Sequence, residues 1–334
     1  MQGVEAHFEL LDWLVLFGYL GLTTLVGHAM RGKQASIKDF FLGGRSLPWP
    51  AVCGSIIATE ISGVTFIGVP GLLFALHGDF TYLLWAIGSI MARILVAQFF
   101  VRVYDEQEIY SPYDYMGRRL GQAAKVVATL LFKVGSILGQ SVRVLVAAIP
   151  LKVVTGLQIE WCVVIIGLFA VVWTLMGGMR TVIWTDVMQF FLFTFGSLLA
   201  LGVLVAGLDG GWGTFGEQSG QFGRRDLWNL EVQADLQFTL WVALLAVPFQ
   251  NLTAFGVDQL NAQRMFCCRN ARDAKKALIW SSVGQVLTLL MLLVGAALVV
   301  NYDQKGFTPQ ETLVLFEGNS EQNEGNLAAA EKAA

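Results

Sequence analysis

Residues 40–71 read FFLGGRSLPWPAVCGSIIATEISGVTFIGVPG, a stretch too apolar for water and too interrupted for a regular helix. From residue 48 to residue 74 it would reach roughly 40 Å as a helix, against a bilayer hydrocarbon core of about 30 Å, so there is length to spare for a break. Its middle carries Thr59, Glu60, Ser62 and Gly63. Such a polar run is tolerated at membrane depth only where it faces protein or a watery cavity. The segment therefore reads as a broken membrane helix with a binding site at the break.

The rest of the chain fits that setting. Its 334 residues are 55% hydrophobic and 14% charged, with a mean hydropathy of +0.60, which calls for lipid around an all-α, polytopic membrane protein. A formal net charge of −3, with basic residues scattered in short loops, gives no footprint for nucleic acid. His7, His28 and His77 stand at no metal-ligand spacing, so a zinc or iron enzyme is not expected, and no cofactor is implied by the residues. Cys53 and Cys162 read as small hydrophobes. Cys267 and Cys268 are adjacent in a basic loop, too close for an ordinary disulfide and open to acylation. The first apolar segment lacks a positive leader region and a cleavage site, and reads as retained.

Eight spans are expected, at residues 11–30, 48–74, 80–101, 124–150, 161–176, 182–208, 238–260 and 278–300. With an external N-terminus, fourteen Lys and Arg fall in loops on one side and five on the other, which orients the basic loops to the cytoplasm. Gly177 and Gly178 suit a tight turn between spans five and six. Residues 1–300 are thus a transmembrane domain and 301–334 an acidic external tail. Span seven repeats the oddity of span two, because Pro248, Gln250, Asn251, Gly256, Asp258 and Gln259 interrupt an apolar run. Two interrupted spans five apart cross the membrane in opposite directions, as the leading helices of an inverted repeat do, and such a pair points to a midplane site.

At the first break, the carbonyls of Ala58 and Ile61 are candidate oxygen ligands for a small cation, with help from the Thr59 and Ser62 hydroxyls. The competing reading is a helix merely bent by hydroxyls bonding back to the preceding turn. Glu60 has three readings: cation holder, proton acceptor, or structural partner of Arg93 or Arg143. Asp186, in the cytoplasmic third of span six, suits an inner ion-exit path, or a capping or hydrogen-bonding role near the helix start. Asp258 and Gln259 either orient a polar solute or sit at a helix end already at the interface.

Three motifs, FFLGGRSLPWP followed by ATEISG, GGMRTVIWTDVMQ, and GVDQLNAQR, occur in an order and at spacings that resemble the sodium/solute symporter family over about residues 40–276. The resemblance implies a five-plus-five inverted-repeat fold of the LeuT type preceded by one extra helix at 11–30. On that plan the first repeat covers about 48–208 and a second, incomplete repeat 238–300. It implies sodium held partly by carbonyls at Ala58 and Ile61, with Ser62 and a carboxylate at Asp186 on the sodium path. It also implies solute contacts from the broken helices, placed at Thr59, Glu60, Thr65, Asp258 and Gln259. Val64-Thr65 and Asp258-Gln259-Leu260 depart from the pattern of sugar carriers and argue against a sugar. Family members run to thirteen or so spans and draw a Ser/Thr cluster of sodium ligands from the ninth, so eight spans suggest a truncated form.

The leading expectation is a sodium-coupled symporter of a small polar or anionic solute, not an enzyme, in a plasma or bacterial inner membrane. The alternative is a non-transporting membrane sensor or scaffold derived from one. The expected partners are the solute, sodium ion and the lipid bilayer.

Overall fold

The structure is a computed structural model, and it describes residues 9–32, 36–75, 78–107, 109–221, 227–232 and 236–305. The acidic tail beyond Lys305 lies outside the described residues. In chain order the helices are α1 (Leu10–Met30), α2 (Ile37–Leu42), α3 (Trp49–Glu60), α4 (Gly63–Phe74), α5 (Trp85–Glu106), α6 (Pro112–Leu120), α7 (Gln122–Thr155), α8 (Ile159–Ala206), α9 (Gly211–Gln221), α10 (Val247–Leu252), α11 (Gln259–Phe266), α12 (Ala271–Trp280) and α13 (Gln285–Gln304). Among the described residues the only extended pairing is an isolated parallel bridge between Leu47 and Cys268.

Among the described residues, five segments are long and apolar enough to cross a membrane: Leu10–Met30, Phe80–Glu106, Gln122–Thr155, Gly177–Ala206 and Ala271–Gln304. Trp49–Glu60 and Gly63–Phe74 form a sixth, bent by 57° at the break. Two shorter apolar helices, Ile159–Trp173 and Val242–Val257, fall where spans five and seven are expected. The turn between spans five and six is made by Gly178, whose φ of 58° and ψ of −160° kink α8. A side chain there would also collide with the Phe40 carbonyl, so both backbone and space require glycine.

One boundary differs from expectation for a local reason. The eighth span starts at Ala271 rather than at residue 278, because the Asn270 side chain accepts the Asp273 N–H at 2.9 Å and caps the helix early. Lys275 and Lys276 therefore ride on a helix and not in a loop. In span seven, Pro248 does not break the chain. A π turn at Val242–Ala246, closed by Val247 N–H to the Val242 carbonyl, absorbs the missing proline donor, and a second follows at Thr253–Val257. The real interruption falls at Asp258, whose ψ is 126°.

The chain forms two compact units. The first takes in Met1–Thr65, Trp85–Phe193 and Trp241–Gln285. Its core joins Val52 and Ile56 of α3, Val96 and Ala97 of α5, Ile183 of α8, Phe255, Met265 of α11 and Ala277 of α12. The second takes in Phe66–Leu84, Thr194–Leu240 and Val286–Ala334. Its core joins Val69 and Leu73 of α4, Leu201 and Val205 of α8, Phe215 of α9, and Met291, Leu292 and Ala296 of α13. Gly295 makes that packing close, since a Cβ there would stand 3.0 Å from the Pro70 Cα.

Candidate functional site

The break after α3 is a local event written in hydrogen bonds. Ile61 still donates to the Ile57 carbonyl at 2.9 Å, but its own φ and ψ, −87° and 108°, leave the helix. The next amide, Ser62, turns to the Thr65 hydroxyl at 3.4 Å, and that hydroxyl in turn faces the Glu60 carbonyl at 3.5 Å. The carbonyl of Ala58, next in the ladder after Ile57, is thereby released from it. Thr59 bonds back to the Ser55 carbonyl at 2.7 Å, as the bent-helix reading expects, yet the helix is broken and not merely bent.

Beside the break, Glu60 forms an ion pair with Arg93 of α5. The Arg93 side chain is wholly buried, whereas that of Glu60 is 28% exposed. Arg93 also donates to the Ser89 hydroxyl at 2.9 Å, and its guanidinium lies 4.4 Å over the Phe255 ring, while its Nε is buried without a hydrogen-bond acceptor. Gln285 reaches the other Glu60 oxygen at 3.3 Å. A guanidinium taken this far out of water needs a counter-charge and hydrogen-bond acceptors, and the end of α3 supplies the charge. The structural pair expected for Glu60 is formed with Arg93, while Arg143 stands exposed on α7.

One turn earlier on α3, Ser55 enters a second buried cluster. Its hydroxyl donates to Asp186 of α8 at 2.5 Å. Arg264 of α11 closes the triangle, with Nη2 3.0 Å from the same carboxylate oxygen and Nε 2.9 Å from Ser55 Oγ. Its remaining nitrogen donates to the Leu260 carbonyl at 2.6 Å. Asp186 is thus tied to two other helices and is not a cap on its own.

Asp258 and Gln259 begin α11. The Asp258 carboxylate accepts the Leu260 N–H at 2.7 Å, a capping contact that follows from its position just before the helix. The Gln259 amide donates toward the Tyr110 carbonyl and Gln263 Oε1, both at 3.4 Å. Both residues thus stand at the start of a helix. Sequence reasoning missed Ser55, Arg264, Ser89 and Gln285. Ser55 stands four residues before Thr59, a same-face spacing that was available as a signal, and Arg264 lies inside the GVDQLNAQR motif.

A helical membrane protein whose second span breaks at mid-length, with paired charges buried beside the break, has the build of a secondary carrier's binding region. The chain belongs to the sodium:solute symporter family, whose family model matches residues 40–321. It is 27% identical to the sodium/sialic acid symporter SiaT of Proteus mirabilis, over 92% of this chain and 63% of that one. It is 29% identical to human sodium-coupled monocarboxylate transporter 1, over 83% of this chain and 45% of that one. With the human sodium/iodide cotransporter it shares 31% identity, over 82% of this chain and 42% of that one. A solved structure described as a substrate-bound outward-open state of a Na+-coupled sialic acid symporter superposes with a TM-score of 0.83 at 26% identity, covering 92% of this chain and 66% of that chain. The chain thus spans about two fifths to two thirds of the length of these relatives. Over the matched length it shares the all-helical fold of that symporter structure.

Proposed function

We propose that this chain carries the ion- and solute-binding region of a sodium-coupled symporter for a small anionic or polar solute. The observation that carries the reading is the Ala58 carbonyl released at the Ser62 turn, a hard oxygen ligand at the centre of an apolar segment. Ala58 and Ile61 offer carbonyls to sodium, Ser62 offers its hydroxyl, and Asp186 lies on the ion's path, held off by Arg264 until the ion arrives. Thr59, Thr65 and the exposed edge of Glu60 line the solute's side, with Asp258 and Gln259 contributing from the second interruption. An anion is favoured because the relatives named above are described as carriers of sialic acid, a monocarboxylate and iodide. The drive would be the inward sodium gradient together with the membrane potential, which supplies about 2.3 kcal/mol per charge per 100 mV. The protein would lie in a plasma or bacterial inner membrane with its N-terminus external.

The test is equilibrium binding of radiolabelled sialic acid, lactate and iodide to the purified protein, in sodium and in potassium at equal ionic strength. Tighter binding of one anion in sodium alone supports the reading. Retention indifferent to the cation for all three anions rejects the coupling.

A further inference from the structure

We propose that the crevice between α5, α6 and the π turn at Thr253–Val257 holds an acyl chain of an anionic phospholipid, with its phosphate bound by Arg118 and Arg119. The crevice has a volume of about 340 Å³ and is lined by Phe99, Phe100, Val103, Tyr115, Met116 and Val257. That volume falls within the range of about 300–1,000 Å³ typical of ligand pockets, and the lining is almost wholly hydrocarbon and aromatic.

The crevice is built and held. Ser111 accepts the Tyr113 N–H at 3.2 Å, and Pro112 starts α6, so the helix begins at a fixed point and buries Pro112 and Tyr113. Tyr104 donates to the Gly256 carbonyl at 2.9 Å and ties the π turn to α5. Phe99 is 67% exposed on a segment apolar enough to span a membrane, a setting that suits a mouth open to hydrocarbon. A single apolar chain is the occupant that this surface and this setting both fit.

The polar end is set by sequence position. Arg118 and Arg119 follow Met116 by two and three residues, in the exposed last turn of the same helix. The Arg119 guanidinium lies 5.6 Å from the ring of Tyr115, which itself lines the crevice. Arg118 donates to the Gln107 carbonyl at 2.8 Å. The neighbouring cations Arg102 and Lys125 are already paired, with Glu106 at 2.7 Å and Asp114 at 2.6 Å. Each guanidinium carries five N–H donors, so Arg118 and Arg119 keep donors for a phosphate after those contacts. An apolar slot ending at two cations is the imprint of an anionic amphiphile, and the orientation expected from the loops' charge bias would put it on the leaflet richer in such lipids.

The test is native mass spectrometry of the purified full chain, offered dioleoylphosphatidylglycerol, dioleoylphosphatidylcholine and glycerol 3-phosphate at equal concentrations. The protein retains the anionic lipid at least tenfold over the zwitterionic one and does not retain glycerol 3-phosphate. The double change Arg118→Gln and Arg119→Gln, at exposed positions, brings the two lipids level. Met116→Trp fills the crevice and lowers retention of both. Equal retention of the two lipids by the unchanged protein overturns the proposal. So does binding of the chainless phosphate, or a double variant that keeps its preference. The arginine pair decides the matter even if Met116→Trp does not fold.

Discussion

Arg264 of α11 and Asp186 of α8 meet at 3.0 Å around the hydroxyl of Ser55, so three helices of the first unit converge on one buried oxygen. Such a triangle fixes how those helices rotate about their axes, because each donor finds its acceptor only at one angle. It also gives the aspartate a resident cation, the Arg264 guanidinium.

Removing one partner leaves the other buried without compensation, which costs about 3–5 kcal/mol. Asp186→Asn and Arg264→Gln each lower the thermal midpoint in detergent, followed by loss of the monodisperse chromatography peak. The double variant recovers part of the loss. A double variant as unstable as the sum of the two singles would show that the pair does not act as a unit.

Glu60→Gln strands the wholly buried Arg93 guanidinium and is expected to destabilise the protein by a similar amount. Arg93→Met, which removes the charge but keeps apolar volume, combined with Glu60→Gln restores much of the stability. Thermal unfolding of the three variants checks this; a Glu60→Gln protein as stable as the parent would mean that the pair contributes little.

Thr65→Val removes the hydroxyl that receives the Ser62 amide, with a small effect on stability, about 1 kcal/mol. Its effect on sodium is larger if the turn positions the released carbonyl. Sodium titrations read by tryptophan fluorescence are expected to show at least a tenfold weaker midpoint for the variant, while its thermal midpoint moves by only a few degrees.

Burial pushes the Cys267 thiol up to about 12 and the Cys268 thiol higher still. The thiolate is the reactive form, and raising the pKa shrinks its share at any pH below it, so both thiols are expected to resist maleimide from pH 7 to pH 9 and to label only on unfolding. Peptide mapping after labelling gives the answer. The same burial argues against the acylation that the basic-loop reading of this pair left open.

The interruption near Ser62 was readable from the order Thr59, Glu60, Ser62, Gly63 alone, because hydrogen bonding along a helix involves residues four apart. The kink at Gly178 was readable from two adjacent glycines, because a φ of 58° is one that glycine adopts freely. The second interruption was located only to the run from Pro248 to Gln259: two π turns carry the segment past Pro248, the obvious breaker, and Asp258 takes the break. A proline's missing donor is visible in sequence, whereas the slack that absorbs it depends on what packs around the turn. The helical start at Ala271 was likewise hidden, since one asparagine cap outweighed a run of basic residues.

By itself the sequence determined that this is a lipid-embedded helical protein, where its apolar segments run and where the second of them breaks. Hydropathy and helix bonding are properties of neighbours along the chain, and a one-dimensional reading captures them. Only the tertiary structure decided which charge answers which. Glu60 takes Arg93 across 33 residues, and Asp186 takes Arg264 across 78. Those choices depend on the rotation and depth of separate helices, which are set by packing at a distance that no local pattern encodes.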